Sequence, residues 1–143
     1  MTPARTLLAS LTASAALIAS AAFAQPNQGG VKFRTSLTGA VEIPPGDPDG
    51  SGTAVITINP GQSRICWTIT WQGIAAPSAA HIHIGLAGTA PAGNIVLPLS
   101  PIGSGCATVT RTLADAIRKS PASYYVNVHN ADYPAGALRG QLG

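Results

Sequence analysis

Three histidines in two short segments are the residues of this sequence best suited to binding chemistry. His81 and His83 lie in the segment 80–84, and His129 ends the segment 124–129. Alternate side chains of a strand share a face about 7 Å apart, so a His-x-His pair can hold zinc or copper. Three neutral imidazoles with an open fourth position would suit Zn²⁺ or Cu²⁺. The alternative is that these histidines bond to nearby loops or face solvent.

Each histidine segment alternates aliphatic and polar residues with the two-residue period of a β-strand. If the aliphatic residues pack inward, all three imidazoles must lie on the opposite face of their strands. The residues expected inward are Ile82, Ile84, Val126 and Val128, and those expected at the rim of the site are Tyr125 and Asn127. Asp132 follows His129 by three residues and is a candidate fourth ligand or an acceptor for an imidazole N–H.

The two cysteines of the chain are expected to form a disulfide. Cys66 and Cys106 occupy strand-like segments 40 positions apart. An even cysteine count in an exported protein favours a disulfide over two buried thiols. Because no Cys-x-x-Cys spacing occurs, a role in thiol–disulfide exchange is not predicted.

Arrangements typical of hydrolases are not found in the sequence. There is no Gly-x-Ser-x-Gly motif, which would present a nucleophilic serine on a sharp turn. Glu42 is the only glutamate and has no second carboxylate at a fixed short spacing, so a glycosidase pair is not predicted. The residues therefore favour binding over catalysis.

The elements that must position these residues are mainly strands. Residues 25–143 contain 16 glycines and 11 prolines but few lysines and glutamates, a composition that disfavours a helical bundle. Segments with strand character recur at a spacing of roughly 8–15 residues, which predicts an all-β sandwich or barrel. The eight predicted strands are 31–37, 53–58, 64–71, 79–84, 95–99, 106–110, 124–129 and 137–142. One short helix is predicted over 113–119, with Thr112 as its cap and Pro121 beyond its end.

The first 24 residues have the pattern of a signal peptide. Arg5 precedes an apolar stretch from Leu7 to Ala22, and the small residues Ala22 and Ala24 suit cleavage before Gln25. The predicted division is a signal peptide over 1–24, a flexible leader over 25–30 and one domain over 31–143. The protein is expected in the periplasm or the extracellular medium, and no later apolar run is long enough for a membrane span.

The balance of charge argues against two classes of partner. Cleavage of the signal peptide would leave 119 residues with seven Lys/Arg and five Asp/Glu, scattered along the chain. A net charge of +2 without a basic cluster does not predict binding to nucleic acid or to an anionic membrane surface. The expected partner is an unidentified extracellular or periplasmic ligand.

Four blocks of the chain together resemble the CHRD (chordin) domain family. The blocks are Phe33–Pro45, Ala80–His83, Tyr125–His129 and Tyr133–Leu142, and the resemblance covers about residues 31–142. It implies an immunoglobulin-like β-sandwich, widespread in exported bacterial proteins, without a defined catalytic reaction. The implied function is that of a secreted binding or structural module. The growth-factor antagonism of chordin itself is not transferred to a lone domain.

The family blocks include one acidic and one basic residue that could pair. The family's Glu and Pro-Pro correspond to Glu42 and Pro44–Pro45, and its Arg-Gly-Gln-Leu corresponds to 139–142. An arginine fork can satisfy a carboxylate at the seam between two strands. We therefore expect Glu42 and Arg139 to form a structural ion pair.

The segment with His81 and His83, followed by a glycine-rich loop, is also similar to the His-x-His copper strand of copper/zinc superoxide dismutases. Those enzymes are β-sandwiches that use four histidines at copper and further ligands at zinc, whereas this chain has three histidines. A complete two-metal site is therefore excluded. The alternative function is a mononuclear copper or zinc protein, with His81, His83 and His129 as ligands and with dismutase-like chemistry.

Overall fold

A computed structural model of the chain describes residues 29–89 and 93–143. The predicted signal peptide over 1–24 and the leader, apart from Gly29 and Gly30, lie outside the described residues. The strands are β1 (Val31–Thr38), β2 (Ser51–Asn59), β3 (Arg64–Gln72), β4 (Pro77–Ile84), β5 (Ile95–Pro98), β6 (Ser104–Thr108), β7 (Tyr124–Asn130) and β8 (Leu138–Gln141). The helix α1 spans Arg111–Lys119, and short 3-10 helices span Pro60–Gln62 and Pro121–Ser123.

The eight described strands join in a single antiparallel sheet with the order β5-β4-β7-β8-β1-β2-β3-β6. The two halves of the sheet meet where β1 pairs with β8, at Thr38 and Arg139. Buried residues from distant strands, such as Ile56 on β2 and Ile82 on β4, belong to one apolar core. The sheet must therefore curl until its two halves face each other across that core. This arrangement confirms the predicted all-β, sandwich-like fold with one helix.

The faces of β4 and β7 follow the alternation of their aliphatic residues. Ile82, Val126 and Val128 are fully buried in the apolar core, as predicted. The prediction is wrong for Ile84, which is 43% exposed. Ile84 is the last residue of β4, and the pairing of β4 with β5 ends at His83, so β5 gives Ile84 no cover.

The helix begins two residues before its predicted start. Thr110, rather than Thr112, is the N-cap, because its backbone is extended and its hydroxyl oxygen accepts a hydrogen bond from the Leu113 amide at 3.2 Å. β6 stops at Thr108 instead of continuing to residue 110 as predicted, because Thr108 pairs with Arg64, the first residue of β3, and the chain then enters the helix cap. A residue that caps a helix has left the ladder of the preceding strand.

The predicted disulfide between Cys66 and Cys106 is confirmed. The two cysteines are directly opposite each other on β3 and β6, with Cα atoms 3.9 Å apart. The bridge therefore ties the edge strand β6 to its only sheet neighbour within the described residues. No helix in the described part of the chain is both long and apolar enough to cross a membrane.

Candidate metal centre

Strand pairing brings the three histidines onto one face of the sheet. The strands β4 and β7 are neighbours, and their register places His81 opposite Asn127, His83 opposite Tyr125 and Ala79 opposite His129. Side chains that are directly opposite or diagonal in such a pair lie within contact distance. The polar faces of the two histidine segments therefore form one continuous surface.

The imidazoles of His81, His83 and His129 converge closely enough to hold one metal ion. One ring nitrogen from each residue lies within 4.8 Å of the other two. The tightest approach joins His81 Nδ1 to His129 Nε2 at 3.2 Å. His83 is almost fully buried, at 6% exposure, whereas His81 and His129 are half-buried. The site is thus anchored in the protein and open on one side.

Backbone carbonyls orient two of the three imidazoles. His83 Nδ1 lies 2.6 Å from the Gly93 carbonyl oxygen, and His129 Nδ1 lies 3.0 Å from that of Pro134. Because a carbonyl only accepts, Nδ1 of each ring must donate its hydrogen, which leaves the lone pair on Nε2. His83 Nε2 is buried and has no hydrogen-bond partner among the described residues. A buried lone pair without a donor, on a ring held by a carbonyl, is the arrangement that a metal ligand requires.

The environment keeps the imidazoles neutral. Burial is the main cause that lowers the pKa of His81, His83 and His129 below the ordinary value of 6.5. The neighbouring rings lower the pKa of His81 further, and the charge of Arg139 does the same for His83. The bond to Gly93 opposes these effects on the pKa of His83 only in part. The neutral rings have the protonation state that metal binding needs.

Asp132 does not join the histidine cluster. Its side chain is exposed, and the group of potential ligands contains only the three histidines. The chain turns immediately after β7, where Asn130 Oδ1 accepts a hydrogen bond from the Tyr133 amide at 2.8 Å. This turn directs Asp132 into solvent. The acceptors for the imidazole N–H groups are backbone carbonyls instead of the predicted carboxylate.

A stack of three side chains supports the innermost histidine. The ring of His83 lies parallel to that of Tyr125, with centroids 4.9 Å apart and an interplanar angle of 5°. The guanidinium carbon of Arg139 lies 3.6 Å from the centroid of the same tyrosine ring. Since β4 and β8 flank β7 on opposite sides, Tyr125 is held between a histidine and an arginine. Tyr125 is buried at the floor of the site and does not line its rim.

Glu42 and Arg139 lie in the same buried region but have different partners. Asn127 Nδ2 donates a hydrogen bond to Glu42 Oε1 at 2.5 Å, whereas Arg139 Nη2 donates to the Leu86 carbonyl at 3.0 Å. Glu42 is absent from the ion pairs of the described residues, which join Asp115 to Arg111 and to Arg118. The direct ion pair predicted between Glu42 and Arg139 is therefore replaced by two separate hydrogen bonds. The Glu42 carboxylate is paired with a side-chain amide of β7, and the Arg139 guanidinium is paired with a backbone carbonyl of the loop after β4.

The electrostatics of Glu42 reflect this arrangement. Burial raises the pKa of Glu42, and the Asn127 hydrogen bond and the charge of Arg139 lower it only in part.

The sequence predicts a rim position for Asn127, whereas the structure places it beneath the β1–β2 loop as the partner of Glu42. The sequence feature that places Asn127 next to the histidines is its position on the same strand face as His129, two residues away.

These features define a small antiparallel β domain with an interstrand disulfide and a buried polar face that carries three convergent histidines. The CHRD domain matches residues 33–142, and the chain belongs to the CHRD domain family. No curated protein and no solved structure matches the chain. The resemblance that four sequence blocks indicate is thereby confirmed over nearly the whole of the described sheet.

Proposed function

We propose that this protein is an exported, non-catalytic CHRD binding module whose three histidines hold one transition-metal ion, copper or zinc. The observation that carries the proposal is the convergence of His81, His83 and His129 from two strands, with one nitrogen of each within 4.8 Å of the others. Histidines that only face solvent would not be expected to converge on one partly buried position. Three neutral imidazoles at one position can act together as ligands of a metal ion.

The chemistry of the donors selects the class of metal. Imidazole nitrogen suits zinc, copper, iron and nickel, whereas calcium and magnesium prefer carboxylate and carbonyl oxygen. The group of potential ligands contains no carboxylate, and both cysteines are joined in the disulfide. Three protein ligands in a tetrahedral site leave one coordination position for water or another small ligand. This donor set favours Zn²⁺ or Cu²⁺.

Export is supported by two independent features. The apolar stretch from Leu7 to Ala22 and the small residues before Gln25 fit a cleavable signal peptide. The Cys66–Cys106 disulfide is of the kind that persists in oxidising compartments such as the periplasm. Exported protein should therefore begin at Gln25, as intact-mass measurement would show. Retention of residues 1–24 in the exported material would contradict this part of the proposal.

Metal binding is tested by titration of the untagged, metal-free protein with Cu²⁺ and with Zn²⁺, followed by calorimetry. The parent protein should bind one ion per chain, and His83→Ala should lose most of the affinity because it removes the best-anchored ligand. Asp132→Asn is the matched control, since Asp132 is exposed and lies outside the cluster. It should bind as the parent does. Equal binding by the parent and by His83→Ala would overturn the proposal.

A further inference from the structure

Two buried polar atoms near the histidine cluster, His83 Nε2 and Asn127 Oδ1, have no hydrogen-bond partner among the described residues. Both belong to one small block of the β4–β7 register, where His83 faces Tyr125 and His81 faces Asn127. Folded proteins rarely leave such atoms unpaired, and a pair of them indicates a bound ion or an ordered water.

Asn127 occupies the central position of this block. It lies directly across from His81, diagonally across from His83 and two residues before His129 on the same strand face. Its side chain is 3% exposed. An amide at that position is a near neighbour of all three proposed ligands, because opposite and diagonal side chains of paired strands are in reach of each other.

The hydrogen bond to Glu42 determines which end of the Asn127 amide is free. Asn127 Nδ2 donates to Glu42 Oε1, so Oδ1 is turned away from the carboxylate. A carboxylate accepts hydrogen bonds, and the reversed amide would set two acceptors against each other. The unpaired atom at the centre of the block is therefore an acceptor that needs a donor.

Zinc and copper prefer imidazole nitrogen to an amide oxygen, so direct coordination of Asn127 Oδ1 to the ion is disfavoured. An ion on the three histidines would pair with His83 Nε2 but would present no hydrogen to Asn127 Oδ1. A water molecule on the ion does so, because coordination polarises its O–H bonds and strengthens them as donors. One water molecule would then fill the open fourth coordination position and donate a hydrogen bond to Asn127 Oδ1.

We propose that Asn127, held in place by Glu42, binds a water molecule in the fourth coordination position of the metal through its Oδ1 atom. The inference rests on the proposed function, because it takes His81, His83 and His129 as the ligands of the ion. It assigns Asn127 as a positioning residue that selects the fourth ligand. Neutral ligands with an O–H or N–H group are favoured there, and anions that bring only lone pairs are disfavoured.

The test is the affinity of the Cu²⁺-loaded protein for azide, which coordinates copper but brings no hydrogen to Asn127 Oδ1. Binding is followed by the azide-to-copper charge-transfer absorption and by electron paramagnetic resonance. Asn127→Ala should bind azide about tenfold more tightly than the parent, since the unpaired acceptor that opposes the anion is gone. Asn127→Ser, which keeps a small polar group in the space, should change the affinity in the same direction if the alanine variant does not fold.

Asn130→Ala is the matched control. Asn130 is a buried asparagine of the same strand, but it bonds to the Tyr133 amide and the Ala75 carbonyl, away from the histidines. It should leave azide affinity unchanged. Equal azide affinity in the parent and in the folded Asn127 variants would overturn this inference while leaving metal binding intact. Failure of the parent to take up Cu²⁺ would overturn the proposed function and this inference together.

Discussion

Glu42 accepts a buried hydrogen bond from Asn127 across 85 positions of sequence, at 2.5 Å. Glu42 lies in the loop between β1 and β2, and Asn127 lies in the middle of β7, so the bond fastens that loop over the polar face of the sheet. Burial removes water from the carboxylate, which raises the pKa of Glu42 despite the nearby charge of Arg139. The strength of the contact between Glu42 and Asn127 therefore depends on pH.

The Glu42→Gln variant should gain stability relative to the parent as pH rises above 4.5. A carboxyl group whose folded pKa is raised binds its proton more tightly when folded, so its stabilisation is fully present below the ordinary value of 4.5. That stabilisation is lost as pH rises through the folded pKa, whereas the amide introduced in the variant does not titrate. Urea unfolding of both chains between pH 4 and pH 7 measures the difference in unfolding free energy.

The exposed carboxylate of Asp49 offers a control for the change in net charge. The pH profile of Glu42→Gln is compared with that of Asp49→Asn, which removes one negative charge from the exposed surface. A constant difference between the parent and Glu42→Gln over the whole range would show that the folded and unfolded states of Glu42 titrate alike.

Gly136→Ala should be strongly destabilising. Gly136 has a φ of +147°, and a Cβ atom there would collide with the Glu42 carboxylate and the Asn127 amide. The strained backbone and the separation of this pair together should cost about 3 kcal/mol of unfolding free energy. Chemical denaturation measures the loss directly.

Gly88→Ala measures the cost of a positive φ in the absence of a collision. Gly88 has a φ of +70°, but a Cβ atom there would meet nothing within 4 Å. Only backbone strain is then added, and the expected loss is about 1 kcal/mol. If both alanine variants lost the same free energy, the contact with Glu42 and Asn127 would carry no weight.

Much of the sheet could be predicted from the sequence because the two-residue period of a strand sets the face of each side chain. Val126 and Val128 are buried, and His129 lies on the opposite face, as the alternation requires. Ile84 has the same pattern as Ile82 yet is exposed. Burial at a strand end depends on what lies across from it, which is a tertiary property and leaves no trace in the segment itself.

The candidate site was only partly predictable for a related reason. The convergence of His81 with His129 depends on the pairing of β4 with β7, and β5, β6 and the helix separate these strands in the chain. Alternation indicates which residues share a face but not which strands are neighbours. The acceptors at Gly93 and Pro134 are backbone carbonyls, and every residue has one, so no side-chain pattern distinguishes them.

Removal of the disulfide should lower the unfolding free energy by about 4 kcal/mol. The bridge between Cys66 and Cys106 closes a loop with a sequence separation of 40, and the unfolded chain regains the entropy of that loop when the bridge is absent. The variant Cys66→Ser/Cys106→Ser should therefore unfold at lower urea concentration than the oxidised parent. The reduced parent should match the double variant. Equal stability of the oxidised and reduced parent would contradict the prediction.

Metal binding should persist to lower pH than it would at unperturbed histidines. Burial lowers the pKa of His81, His83 and His129 below the ordinary value of 6.5, so a smaller fraction of the metal-free rings is protonated at any pH near that value. Protonated imidazole cannot bind a metal, and affinity falls only once protons compete for the rings. The Kd for Zn²⁺ should therefore begin to rise at a lower pH than it would with three histidines of ordinary pKa.

Competition with a chromophoric chelator between pH 7.5 and pH 5 measures this dependence. A peptide that spans residues 79–84 supplies His81 and His83 without burial, so its weaker binding should already decline near pH 6.5. The folded protein and the peptide thus differ in the pH at which affinity begins to fall. The burial that lowers each pKa also removes the need to displace protons at neutral pH, so the same packing that holds the rings together favours metal binding. A decline that begins at the same pH in both would show that the folded environment does not protect the ligands.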